Sequence, residues 1–292
     1  MKKIYLTVLF LFSVTLVSGC IDADGGMAGF MGVGESDTIA IEMVSVGVDP
    51  VTRRIESGRD IRVFFDIENE GNTTVEDVDF SITDHPNFVV ANTEKSLGNL
   101  DPDAIESWDW VFEADEGVRS PRNSDIRHRL SYDSTAYTEH SFVAVSEEEY
   151  MERLEEGMGD IVDHRYNKKE TPVDIVISFS ETQPVVEEDE FLFEFKFEDA
   201  GDGFPQGMKL DKGAVEIEYP DFISPVGDCH GRMSMGQTVE LVEDLYFHGD
   251  STSWTSCRFE VDSIDRLDEG VFTITADYTY VKDDYFTLVV EP

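Results

Sequence analysis

Apolar and polar residues alternate along most of the chain from Thr38 onward, which is the pattern of half-buried β-strands. Between the alternating runs lie clusters of turn-forming residues, such as Asp84-His85-Pro86-Asn87. Short strands separated by turns at this spacing predict a β-sandwich over residues 38–145. The runs that carry this prediction cover residues 61–67, 78–82, 108–114, 126–132 and 142–145.

The same alternation resumes after Pro172, and it predicts a second sandwich over residues 172–292. Residues 173–179 and 191–197 alternate first. Residues 272–280 and 286–290 then predict a final hairpin that turns at Lys282-Asp283-Asp284. Because 130–145 and 276–290 have similar patterns, the two halves are interpreted as tandem repeats.

Residues 146–171 break the alternation and predict a helical connector. Ser146 and Glu149 have the spacing of a capping box, in which each side chain bonds a free backbone N–H of the first turn. Tyr150, Leu154 and Met158 fall on one helical stripe, which we expect to rest on a sandwich edge, and Gly157 or Gly159 can end the helix.

The first 20 residues have the layout of an export signal. Lys2 and Lys3 precede an apolar stretch over residues 4–17, which is shorter than the ~20 residues of a comfortable membrane span. The stretch ends in Val17-Ser18-Gly19-Cys20, which resembles the lipobox of bacterial and archaeal lipoproteins. That resemblance implies a signal peptide over residues 1–19, a lipidated Cys20 and a membrane anchor. An ordinary signal peptide cut near Gly19 is the alternative.

Residues 20–37 are rich in glycine and poor in apolar residues, so they predict a flexible tether between the anchor and the first sandwich. The protein is then expected outside the cytoplasm, on the outer face of the cytoplasmic membrane or at the cell surface.

The chain is strongly acidic, with 63 Asp and Glu residues against 22 Lys and Arg. Its net charge of −41 would become −43 after loss of Lys2 and Lys3 with the signal. This charge repels nucleic acid, which we exclude as a partner. Concentrated salt shortens the Debye length to ~3 Å at 1 M and makes such a surface tolerable. The acid enrichment resembles that of proteins from halophilic archaea.

The cysteines agree with export. If Cys20 carries lipid, Cys229 and Cys257 remain as an even pair, which predicts a disulfide in an oxidising compartment. Zinc binding is the alternative, since His230 adjoins Cys229. A second nearby His or Cys at ligand spacing is missing, which disfavours zinc.

The first half resembles a known family of surface domains. Residues 60–74 combine a strand, the turn Asn69-Glu70-Gly71-Asn72 and a second strand, and Leu97-Gly98 precedes a proline turn and the strand at Trp108. These features are similar to CARDB-type domains, immunoglobulin-like repeats of prokaryotic surface proteins. The resemblance covers about residues 38–145 and implies a spacer or adhesive module without catalytic residues. The second half departs from it in a long insertion and in the cysteine pair.

Few residues suggest site chemistry. Asp199 and Asp202, in a glycine-rich loop, are candidate calcium ligands because calcium binds six to eight oxygens, although the full spacing of an EF-hand is missing. Asn72 begins the sequence Asn-Thr-Thr and is a candidate glycosylation site. His248, Asp250 and Ser251 hold the atoms of a nucleophile and base, but we favour a polar turn there.

The tryptophans bear on glycan binding. Trp108 and Trp110 are in phase with a core face, which predicts that they are buried, whereas Trp254 is out of phase with its strand and predicted to be exposed. We therefore expect a lipid-anchored, non-enzymatic structural or interaction protein of the envelope, with no required cofactor. A glycan-binding adhesin and an accessory subunit of a surface enzyme are the alternatives.

Overall fold

The computed structural model describes residues 41–49, 51–71, 73–157, 166–227, 229, 231–233 and 237–292. All of them belong to one compact unit, Asp37–Pro292. Strands make up 63% of the structure, with one α-helix among the described residues, so the predicted all-β sandwich class is confirmed.

The first half of the chain supplies nine strands and the helix. They are β1 (Ile41–Asp49), β2 (Arg54–Glu56), β3 (Asp60–Asn69), β4 (Val75–Asp84), β5 (Phe88–Val90), β6 (Glu94–Leu100), β7 (Ile105–Ala114), β8 (Arg122–Val145), α1 (Glu147–Glu156) and β9 (Tyr166–Lys168).

The second half supplies twelve strands and a short 3-10 helix at Gln206–Met208. The strands are β10 (Val173–Phe179), β11 (Val185–Val186), β12 (Glu190–Asp199), β13 (Phe204–Pro205), β14 (Lys209–Leu210), β15 (Val215–Glu218), β16 (Ile223–Pro225), β17 (Gly231–Met233), β18 (Thr238–Leu241), β19 (Leu245–Tyr246), β20 (Thr255–Val261) and β21 (Leu267–Glu291).

One large sheet runs through both halves, in the order β17-β18-β15-β21-β8-β4-β6, with β2, β9, β11 and β13 added at its sides. Two four-stranded sheets complete the layers. The first has the order β1-β3-β7-β5, and the second has the order β10-β12-β20-β16. A small fourth sheet pairs β14 with β19.

The centre of the large sheet is a pair of very long antiparallel strands, β8 and β21, which we call the ribbon. They pair without interruption from Arg122 with Val290 to Val145 with Leu267, over 24 residue pairs. At the usual rise of a strand this is roughly 80 Å. Both halves of the molecule are therefore built on the same two strands. The arrangement as two independent tandem domains stays a prediction.

The hairpin predicted at Lys282-Asp283-Asp284 is wrong, because these residues lie inside β21 and pair with residues 128–130 of β8. The polar stretches that suggested turns are stabilised across the ribbon instead. Arg129 donates two hydrogen bonds to the carboxylate of Asp283, 2.7 and 2.8 Å long. The period of two also persists through the polar stretch of β8, where Ala136 and Thr138 are fully buried. The supposed repeats are thus largely the two strands of the ribbon.

The two four-stranded sheets pack on the same face of the ribbon. Even-numbered residues of β8 and β21 point into the core at both ends, from Ile126 and Phe286 to Phe142 and Phe272. Phe65 of β3 contacts Phe286, with ring centroids 5.9 Å apart, and so forms the first sandwich core. Phe193 of β12 stacks on Phe272 at 4.4 Å in the second sandwich core.

Helix α1 begins and ends as predicted. The Ser146 hydroxyl accepts a hydrogen bond from the Glu149 N–H, and Gly157 closes the helix in the left-handed conformation. The predicted apolar contact is wrong for the described part of the stripe, because α1 buries no residue and Leu154 is 47% exposed; Met158 and Gly159 lie outside the described residues. Ion pairs hold the helix instead: Arg266 contacts Glu149 at 2.5 Å, and the two arginines Arg266 and Arg153 lower the pKa of Glu149.

Candidate functional site

A cleft of about 600 Å³ lies at the middle of the ribbon, where the two halves of the molecule meet. Its size is within the range of small-molecule sites, and such sites favour the junctions between domains. We call it the ribbon cleft. Its lining residues are Thr73, Thr74, Val75, Glu76, Tyr132, Asp133, Ser134, Thr135, Lys169, Glu170, Thr171, Asp211, Ala214, Asp277, Tyr278 and Thr279.

The floor of the ribbon cleft is the outward face of β8 and β21, and two matched side-chain pairs cross it. The Thr279 hydroxyl donates to the Asp133 carboxylate at 2.7 Å, and the Thr135 hydroxyl donates to the Asp277 carboxylate at 2.6 Å. Both pairs are directly opposite in the ladder. The two carboxylates are therefore held in fixed orientations, with oxygens left to accept further hydrogen bonds.

The walls of the ribbon cleft come from both halves of the chain. On one side, the start of β4 brings Glu76 opposite Asp133. On the other side, the Lys169 N–H donates to the Tyr137 carbonyl at 3.0 Å, and the Asp277 N–H donates to the Ala214 carbonyl at 2.9 Å. These backbone bonds fix the walls to the floor, so the cleft is preformed.

The lining is polar and acidic. Five carboxylates (Glu76, Asp133, Glu170, Asp211 and Asp277) surround the cleft together with a single lysine, Lys169. Six Ser and Thr hydroxyls add groups that both donate and accept. Tyr132 and Tyr278 are buried beneath, and burial raises the pKa of both phenols, which stay neutral. The cleft therefore suits a ligand with many hydroxyl or amino groups.

The predicted disulfide between Cys229 and Cys257 is present, with Cα atoms 4.5 Å apart. Both residues are buried, and Cys257 lies in β20 beside Phe193 of β12. The bond closes a stretch of 28 positions within the second half.

Both candidate calcium ligands interact with other side chains of the protein. The Asp199 carboxylate accepts from the Tyr280 hydroxyl at 2.8 Å, and its burial raises its pKa. Asp202 forms an ion pair with Lys282 at 2.8 Å. Within the described parts of the chain, no three acidic, His or Cys side chains gather where they could share an ion. Calcium binding stays a prediction.

The glycines of this loop have a packing role. A Cβ at Gly201 would lie 2.1 Å from the Tyr280 hydroxyl, and one at Gly203 would lie 2.2 Å from the Val281 carbonyl. The loop therefore needs glycine to approach β21 closely, whether or not a cation is bound.

The segment with His248, Asp250 and Ser251 is a tight turn, as favoured from the sequence. The His248 N–H donates to the Ser251 carbonyl at 2.8 Å, and Phe247 bridges to Thr252. The three residues lie close together because they belong to the same turn. None of them lines the ribbon cleft.

The tryptophans divide as expected between core and surface. Trp108 and Trp110 are partly buried and pack against the first core, whereas Trp254 is 47% exposed. The Lys196 ammonium lies 5.2 Å from the centre of the Trp254 ring, a distance typical of a cation–π contact.

Three predicted sites lie outside the described residues: the lipidation site Cys20, the glycosylation site Asn72 and the rejected zinc ligand His230. The signal (1–19) and the tether (20–37) lie outside them too. Where the chain is described, none of its helices has the length and apolar character needed to cross a membrane.

The ribbon cleft was not predicted from the sequence. Its floor residues are polar positions on the outer faces of two strands that lie more than 140 positions apart in the chain. The one available signal was the repeated Thr and Asp at alternate positions of 133–135 and 277–279. These residues pair only if β21 continues through residues 282–284, where the sequence predicts a turn.

No protein family model matches the chain, and no curated protein matches it. The resemblance to CARDB-type domains therefore stays a prediction.

Some solved structures share weak similarity with the chain. A protein of unknown function from Porphyromonas gingivalis W83 is 12% identical, covers 71% of this chain and 77% of its own, and has a TM-score of 0.19. The secreted serine protease VesC from Vibrio cholerae (10% identity, 80% and 48% coverage) has a TM-score of 0.19. Red sea bream transglutaminase (10% identity, 87% and 32% coverage) has a TM-score of 0.20. Values this low support no conclusion about fold or function.

Proposed function

We propose that the chain is a lipid-anchored, extracytoplasmic interaction protein of the cell envelope, which holds a preformed binding surface away from the membrane. The anchor rests on the sequence Val17-Ser18-Gly19-Cys20 and the glycine-rich stretch that follows it. The observation that carries the role of the folded part is the ribbon, because it passes through both sandwich cores. A disulfide in the second half fits an oxidising compartment.

Two long strands shared by two cores resist bending more than two domains joined by a linker. A hinge at the centre would break the Asp133–Thr279 and Thr135–Asp277 pairs together with their ladder hydrogen bonds. The body therefore acts as a spacer of fixed geometry, with the ribbon cleft at its middle as the surface offered to a partner.

Replacement of the predicted lipidated cysteine tests the anchor. Wild-type protein, expressed from the full chain in a prokaryotic host, is expected in the membrane fraction with an added lipid mass at Cys20. The variant C20A is expected to leave the membrane fraction. Wild-type protein found in the medium, cut near Gly19 and without lipid, would instead establish the ordinary signal peptide.

Distance measurements test the spacer. Spin labels at the exposed positions Glu94 and Asp221, one in each half, should give a distance distribution as narrow as a control pair inside the first half, Glu94 and Asp103. A broad or bimodal distribution for the first pair alone would contradict a fixed spacer.

The origin in a salt-loving archaeon is part of the same proposal, and it is supported by the net charge of −41. Screening of like charges should raise the unfolding midpoint steadily as KCl increases from 0.1 to 2 M. A midpoint that stays constant or falls would contradict it.

Glycan binding is the second candidate function, and the lining of the ribbon cleft favours it. Oriented carboxylates and hydroxyls recognise sugar hydroxyls by paired hydrogen bonds. Calorimetric titration with maltotriose and chitotriose tests this function. The double variant T135V/D277N should abolish any heat of binding, while R59A, on the exposed surface away from the cleft, should not change it.

A further inference from the structure

The first sandwich core contains two polar rings that lack polar partners. His128 is only 2% exposed, and neither of its ring nitrogens has a hydrogen-bond partner within the described structure. The indole nitrogen of Trp108 is buried in the same way. A buried polar group without a partner costs free energy, so this arrangement is an unusual feature of a sandwich core.

Aromatic rings enclose His128. Phe80 stacks on it with ring centroids 5.4 Å apart, Phe286 lies at 6.0 Å, and Phe65 of the facing sheet lies at 6.3 Å. We call Phe65, Phe80 and Phe286 the His128 cage. The cage suits a neutral imidazole, and it offers no oxygen that could accept a proton from a charged one.

The charged groups near His128 belong to β8 itself and to β21 and β4, the two strands that flank it. Asp284 is its direct partner on β21, so both side chains start from the same face of the ribbon, but Asp284 is exposed. Asp283 starts from the other face and pairs with Arg129. From β4 the neighbours are Phe80 and Ile82, with the exposed Asp84 beyond them next to Arg127.

Two rings of the facing sheet lie at the cage. Phe65 of β3 belongs to it, Trp108 of β7 packs against Phe65 and Phe80, and neither ring titrates in the relevant range. Asp284, directly opposite His128 in the ladder, is therefore the carboxylate toward which a turned His128 ring would point.

We propose that His128 is an acid-sensitive switch of the first sandwich, which holds the core closed while the ring is neutral. When the ring takes a proton from solvent, the imidazolium leaves the cage and turns toward Asp284 at the open side of the ribbon. The ring of His128 then no longer fills the space between Phe65, Phe80 and Phe286, and the two layers of the first sandwich loosen.

The direction of the pH effect follows from the burial of the ring. Desolvation lowers the pKa of His128 below its ordinary value of 6.5, and Asp284 and Asp283 oppose this shift only in part. The unfolded chain therefore binds this proton more readily than the folded chain. The stability contributed by His128 is complete above about pH 6.5 and is lost as the pH falls through the folded pKa.

Tryptophan fluorescence can follow the first sandwich alone. The chain has three tryptophans, and the variant W254F leaves only Trp108 and Trp110, which pack beside the cage. In this background, the urea midpoint of the wild-type core is expected to fall between pH 7 and pH 5. The variant H128F should show a clearly smaller fall, and H248N, at an exposed turn, should behave as the wild type.

A titration of the wild-type protein keeps the proposal testable if H128F does not fold. The NMR signal of the His128 ring should titrate with a midpoint below 6.5, and the variant D284N should lower that midpoint further, because a favourable charge is lost. A His128 midpoint at or above 6.5, or an H128F variant with the full wild-type pH dependence, would overturn the switch.

Discussion

The two sandwich cores are built on the same ribbon but filled differently. Each has a central phenylalanine, Phe65 in the first and Phe272 in the second, and both side chains are fully buried. The described rings that contact Phe65 include two tryptophans and a histidine as well as phenylalanines, whereas those that contact Phe272 are all phenylalanines. The rings around Phe65 belong to Phe80, Trp108, Trp110, His128 and Phe286, and those around Phe272 belong to Phe142, Phe179, Phe191, Phe193 and Phe259.

The second core also has the Cys229–Cys257 disulfide, which joins β20 to a loop after β16. The first core instead has buried nitrogens without partners, at Trp108 and His128. From this difference we expect the second half to be the more stable one and the first half to be the one that responds to pH.

The largest loss of unfolding free energy should follow removal of one aromatic ring from the second core. The variant F272A removes a ring that packs at 4.4 Å on Phe193, and we expect a loss of about 3–5 kcal/mol in unfolding free energy. F65A should cost less, because the partly buried Trp108 and Trp110 can move into the space. Urea unfolding of both variants checks this order, and a larger loss for F65A would reverse the comparison.

Removal of the disulfide should come next. The double variant C229A/C257A loses a link across 28 positions, and the chain-entropy model gives a loss of about 2–4 kcal/mol. Trp254 lies in the second half, and Trp108 and Trp110 lie in the first. The fluorescence of W254F therefore follows unfolding of the first half, and comparison with the whole chain shows which half responds. If the transition of the first half shifts as much as that of the whole chain, the two cores unfold together.

A methyl group at Gly201 should have a smaller effect, also in the second half. The variant G201A places a Cβ against the Tyr280 hydroxyl, and displacement of the loop is expected to cost about 1–3 kcal/mol. The matched variant in the first half is G47A, whose Cβ would meet Phe64 at an ordinary 3.6 Å. Thermal unfolding should leave G47A near the wild type, and equal losses would refute the close-packing role of Gly201.

The smallest contribution to unfolding free energy should come from the ion pair between Arg129 and Asp283, on the part of the ribbon nearest the first core. Arg129 and Asp283 are each a little under half exposed, so a double-mutant cycle with R129A and D283A should give about 0.2–1 kcal/mol. Arg129 lowers the pKa of Asp283, so this coupling should be present above about pH 3.8 and lost as the pH falls through the lower folded pKa. Coupling that is unchanged from neutral to strongly acidic pH would rule out a charge pair.

The sequence predicted the strands and the helix ends well because both depend on local signals, and it predicted the disulfide because only two cysteines remain once Cys20 is set aside. The alternation in residues 61–67 and 191–197 appears directly as buried and exposed positions in β3 and β12. Ser146 and Gly157 likewise act within one turn of the helix that they cap. These elements needed no knowledge of distant residues.

The ribbon and its cleft could not be predicted in the same way. Lys282-Asp283-Asp284 has the composition of a turn, but it pairs as a strand with residues 128–130 of β8, which include Arg129, 154 positions from Asp283. The lining of the cleft likewise depends on the register between β8 and β21. The orphaned nitrogens of His128 are a property of the packed core, since an isolated histidine in an alternating run predicts nothing about partners.

The uninterrupted ladder also restricts how the chain can change over time. If one residue were deleted near Thr135, every side chain beyond it would change sides, and Phe142 would face water while Ser141 entered the core. Natural variation in this stretch should therefore be limited to substitutions that keep its length, whereas the connecting loops are free to grow or shrink.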